Sequence, residues 1–124
     1  MSVEDLYIDF RSLYGAITNA TDIKHEKMWD STEHEVKAVW FDSLANVIND
    51  RMGKTEHEEE ISEIFNYLEM KYRTGSDEVK SCIDVCFVEN LFWEVPRKRA
   101  GSAWANLPMN LKDLYLDFHS RKPV

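Results

Sequence analysis

Residues 79–93, VKSCIDVCFVENLFW, constrain the fold more than any other part of the chain. At 100° per residue, their apolar positions surround nearly the whole circumference of a helix. Such a helix has to be enclosed by other elements. Its β-branched and aromatic content would also suit a strand, but its length and its helical neighbours favour a helix. Phe87 and Leu91 are then core positions, with Asn90 packed among them. The expectation is a single all-α domain spanning residues 1–124, with about five helices and this one buried at the centre.

The flanking sequence supplies the amphipathic partners. Leu6, Phe10, Leu13 and Ile17 step by four, three and four residues, and Tyr7 and Tyr14 widen the stripe. Ser2 with Asp5 has capping-box spacing, and Asn19, Ala20, Thr21 and Asp22 read as an interruption. Thr32 with Glu35 is a second box, leading into Val36, Val39, Trp40, Leu44, Val47 and Ile48. Gly53 ends that helix. Thr55 with Glu58 starts the next, whose stripe is Ile61, Ile64, Phe65, Leu68 and Tyr72, and Gly75 stops it. Pro96 opens a loop over residues 97–102, which Trp93 and Trp104 are placed to pin to the core. Pro108 opens a last helix carrying Leu111, Leu114, Tyr115 and Phe118.

Apolar residues make up 44% of the chain, enough for a core and too many for disorder. No apolar run approaches the roughly 18–20 residues of a membrane span. The acidic start, Met1 to Asp5, lacks the basic and apolar regions of a signal peptide. A cytoplasmic protein without membrane contact is expected.

Charge narrows the function classes. The formal charge is −8, and residues 1–95 hold 9 basic against 21 acidic side chains, whereas residues 96–124 hold 6 against 2. An acidic body repels nucleic-acid phosphates and attracts basic partners. The plainer role of such charge is solubility. Arg97, Lys98 and Arg99 suit contact with the acidic body better than nucleic-acid binding.

Few residues suggest chemistry. Cys82 and Cys86, four apart on one helix, have poor disulfide geometry and read as reduced core thiols. Asp22 and His25 form a lone carboxylate–histidine pair. His34, His57 and His119 lack the converging ligands of a metal centre. There is no phosphate-binding glycine loop and no nucleophile motif. The expectation is therefore no catalytic residue, no metal, no cofactor and no enzyme. A small carboxylate enzyme is the third-ranked class.

The run of acids between residues 56 and 63 is more informative on its helix. Opposite the apolar stripe stand Glu56, Glu59, Glu63, Tyr67 and Met70. Negative charge near Thr55 suits a helix N-terminus, but Glu63 lies beyond the first turn. An exposed Tyr and Met beside acids have the makeup of a protein-binding face, in which anchors supply contact energy and charge supplies steering.

Three short stretches, ISEIFNYLE at 61–69, GSDEV at 75–79 and CFVENL at 86–91, resemble a family of small helical proteins. Some of its members are immunity proteins of bacterial polymorphic-toxin and contact-dependent inhibition systems. The resemblance covers roughly residues 58–120, with 96–107 as an insertion, and its motif residues are packing and turn positions. It implies an acidic helical protein that binds and neutralises a cognate toxin domain, a basic nuclease being the partner that charge favours. The alternative is an acidic adaptor or regulatory module with no toxin partner.

Overall fold

The structure, a computed structural model, describes residues 1–28 and 37–124. The expected capping box of Thr32 and Glu35, together with Val36 and His34, lies outside the described residues. The described residues form seven α-helices and no strand: α1 (Val3–Leu13), α2 (Gly15–Met28), α3 (Lys37–Arg51), α4 (Glu58–Thr74), α5 (Asp77–Ser81), α6 (Arg97–Asn106) and α7 (Met109–His119). The all-α class stands, with more helices than the five expected.

Local signals set several boundaries. The Ser2 hydroxyl accepts from the Asp5 N–H, and the Asp5 carboxylate accepts from the Ser2 N–H, which closes a reciprocal box at the start of α1. Gly53 follows α3 with φ +80°, a conformation that favours glycine. A Cβ there would also sit 3.0 Å from Arg99 Cβ. Gly75 ends α4 for another reason: a Cβ would lie 2.4 Å from the Lys71 carbonyl oxygen. Thr55 forms no side-chain cap on α4, because residues Thr55–His57 make a separate 3₁₀ turn ahead of it.

Asn19, Ala20, Thr21 and Asp22 do not interrupt anything. The break falls at Tyr14 (φ −128°, ψ 61°), and α2 runs straight through the tetrapeptide. The side chains of Thr21 and Asp22 are satisfied within the helical conformation, and Asn19 is exposed. Thr21 Oγ1 donates to the Ile17 carbonyl at 2.8 Å, and Asp22 accepts two bonds from Arg11 and one from Trp40 Nε1.

Residues 97–102 are likewise helical rather than a loop. Pro96 caps α6 with an extended ψ, and Ala100, Ala103 and Trp104 bury one face. Basic residues oppose the dipole at this helix start, and the buried face outweighs that cost. Arg99 Nη1 reaches the Met52 carbonyl at 3.1 Å, satisfying an acceptor just past the end of α3.

Residues 79–93 depart most from expectation. They are not one enclosed helix. After α5 the chain makes a π turn (Cys82–Phe87) and a 3₁₀ turn (Val88–Asn90). Ile83, Phe87, Val88 and Leu91 are buried as expected of a core, but Val85 and Trp93 are exposed. A π turn changes the angular step between residues, so side chains after it no longer continue the α-helical phase. The centre of the bundle is α3, which packs against α1, α2 and the π turn. It buries Trp40, Phe41, Leu44, Ala45, Val47 and Ile48.

Candidate functional site

Helix α4 presents its apolar stripe inward as its periodicity demands: Ile61, Ile64, Phe65 and Leu68 are buried. Glu59, Glu63 and Met70 point outward from α4, and Glu56 is exposed on the preceding turn. Four of the five expected face residues therefore reach solvent. Tyr67 does not; it is 8% exposed. Its hydroxyl donates to Asp9 of α1, and its ring meets Phe10 at 5.9 Å and Tyr14 at 5.7 Å. Burial and the Asp9 bond both push its pKa well above the ordinary tyrosine value, so it stays a neutral donor. Helix α1 crosses the flank of α4 that carries Tyr67, which removes it as a surface anchor.

The elbow between α1 and α2 supplies other apolar groups to this face. Leu13, the last residue of α1, keeps the phase of the stripe but stands at the elbow, 58% exposed. Leu13, Tyr14 and Ala16 line one side of a groove of about 430 Å³, and Glu56, Glu59, Glu60 and Glu63 line the other. Burial, then the charges of Glu63 and Asp9, raise the pKa of Tyr14. Glu60 turns aside to Arg51 at 2.9 Å. Glu56, Glu59 and Glu63 enter no ion pair among the described residues. Met70 shares the exposed side of α4 but lies beyond this groove. The sequence signal for Leu13 was the Tyr14–Gly15 junction, which a continuous stripe through Ile17 overrode.

The remaining candidates have structural partners. Asp22 and His25 do not pair as ligands: the carboxylate is held by Arg11 and Trp40, while His25 is buried with Nδ1 2.8 Å from Ser43 Oγ. Burial opposes ionisation of Asp22, but the bonds from Arg11 and Trp40 win and hold its pKa below the usual carboxylate value. His119 stacks on Tyr115 at 4.2 Å and meets the Glu89 carbonyl. Cys82 is buried and Cys86 half-buried, and both are free thiols lining a cavity of about 550 Å³ with Val3, Lys37 and Glu78. A hydrogen bond with Cys86, followed by burial, raises the pKa of Cys82, whereas the same bond lowers that of Cys86. Among the described residues no group of three or more His, Cys, Asp and Glu side chains could hold a metal ion. No described helix is long and apolar enough to cross a membrane.

Trp93 and Trp104 part company. Trp104 joins Phe92 and Tyr115 in the core, at 5.8 and 5.6 Å. Trp93 is 64% exposed on a turn where Phe92 and Glu94 both have positive φ (66° and 57°). It pins nothing to the core.

Residues 9–121 match the sequence profile of a family described as a domain of unknown function, DUF7674, and the chain belongs to that family. No curated protein and no solved structure matches the chain.

Proposed function

We propose that this DUF7674 chain is a protein-binding module acting as an immunity protein, which captures and blocks a basic toxin domain, in the first instance a nuclease. The observation that carries the reading is the groove in which Glu56, Glu59 and Glu63, none of them ion-paired among the described residues, face exposed Leu13 and half-buried Tyr14. Unpaired surface acids steer a basic partner over about one Debye length, roughly 8–10 Å at physiological salt. Leu13 then provides an anchor whose burial on contact slows dissociation. A nuclease has to present cations to phosphates, so the surface that serves its reaction is also the surface an acidic groove recognises. Inhibition by occlusion needs no catalytic group and no cofactor on this chain.

The test is to identify the neighbouring genes and, where one encodes a secreted protein with a variable C-terminal toxin domain, to co-express that domain with this chain and measure association kinetics on the purified pair. Wild type should protect growth. Glu59→Lys with Glu63→Lys should slow association and flatten its salt dependence, while Leu13→Ser should mainly speed dissociation. Circular dichroism establishes that each variant folds. If folded variants protect and bind like wild type, the groove is not the binding face. If the chain binds no toxin but captures another basic protein through the same residues, the adaptor reading replaces immunity.

A further inference from the structure

We propose that a second groove, between α2 and the C-terminal end of α3, binds a small phosphomonoester. It is an open groove of about 420 Å³, and its walls carry Lys24, Lys27, Arg51, Lys54 and His57, with Asp50 the one carboxylate among the lining residues. On a chain of formal charge −8, this local balance is inverted. Cations gathered around a concave, partly apolar wall repel one another, and an anion among them relieves that repulsion.

Two of these cations are fixed in position. Lys24 Nζ lies 2.8 Å from Asp50 Oδ2, and Arg51 Nη1 lies 2.9 Å from Glu60 Oε1. Arg51 keeps further N–H donors for a phosphate oxygen, since guanidinium carries five. The side chains of Lys27 and Lys54 enter no ion pair among the described residues, which leaves their charges for a ligand. His57 adds a ring nitrogen from the turn before α4. The donors thus come from separate elements and converge on one space.

The groove also has an apolar side. Ile23 lines it while 58% exposed, next to buried Val47. Cations beside an apolar patch match a phosphate carried on an organic body better than a bare inorganic ion. The volume falls within the roughly 300–1,000 Å³ of small-molecule sites. The site is independent of the acidic groove: the two share Glu60 only through its bond to Arg51.

Titration calorimetry on the full chain at low salt tests the assignment, with phenyl phosphate as probe and inorganic phosphate beside it. Phenyl phosphate should bind saturably at one site and more tightly than inorganic phosphate. Lys27→Gln with Lys54→Gln should weaken it by about tenfold or more, as expected for loss of charge-assisted bonds. Ile23→Ser should erase the preference for the phenyl compound. Lys122→Gln, a change outside this groove, should bind like wild type, and thermal melts check that all variants fold. Absence of saturable binding, equal affinity for both probes, or equal weakening by Lys122→Gln overturns the proposal.

Discussion

Asn49→Leu is the perturbation that best tests how the bundle holds its exposed turn. Asn49 is buried on α3, and its side-chain amide bonds in both directions. Nδ2 donates to the Asn90 carbonyl at 2.9 Å, and Oδ1 accepts from the Phe92 N–H at 2.7 Å. Phe92 has φ 66°, a left-handed conformation that costs a bulky residue about 1–2 kcal/mol. Asn49 is therefore the clamp that keeps the strained turn closed and Trp93 outside it. Leucine has the same branching and number of side-chain heavy atoms but can make neither bond. The buried Phe92 N–H would lose its partner at a cost of about 1–3 kcal/mol, and the half-buried Asn90 carbonyl adds about 0.5–1.5 kcal/mol. Together these remove about 1.5–4.5 kcal/mol from a domain whose whole stability is on the order of 5–15 kcal/mol. At an unfolding entropy of ~2.1 cal/mol/K per residue over 124 residues, each kcal/mol shifts Tm by about 4 °C, so a fall of about 6–18 °C is expected. Urea denaturation followed by circular dichroism should show a lower midpoint at unchanged slope. A loss below about 1 kcal/mol would refute the clamp, because an orphaned buried amide alone costs at least that much.

Acid should expose the α1–α2 link. The pKa of Asp22 is lowered in the folded state from its ordinary 3.8, so its contribution is present above that value and is lost as pH falls through the lower folded value. The stability gap between wild type and Asp22→Asn, measured in urea at neutral pH and at about pH 3, should therefore narrow in acid; a constant gap would contradict the assignment. Glycine substitutions should separate by site. Gly53→Ala forces φ +80° on an L side chain against Arg99 and should cost about 1–2 kcal/mol. Gly101→Ala, inside α6 with nothing within 4 Å of the new methyl, should stabilise by about 0.5–1 kcal/mol in thermal melts.

What the chain declared locally was whatever a few consecutive residues settle among themselves. The capping box of Ser2 and Asp5, the stops at Gly53 and Gly75, the start after Pro108 and the inward stripe of α4 are of this kind. Each rests on a backbone angle, a cap or a helical phase fixed within one or two turns. The acids of the candidate site were legible for the same reason, since Glu59 and Glu63 fall opposite the stripe by phase alone. Phase gives the direction a side chain leaves its helix but not whether another helix lies there. Tyr67 left α4 toward a flank that α1 covers, and Leu13 left α1 where the elbow at Tyr14 uncovers it. The tetrapeptide from Asn19 stayed helical because Arg11 and Trp40 bring their donors to Asp22, and the basic start of α6 stayed helical because Ala100 and Trp104 found a core to enter. Those partners are distant in sequence, and the free energy of burying or pairing with them exceeds the few tenths of a kcal/mol by which local propensity separates helix from loop.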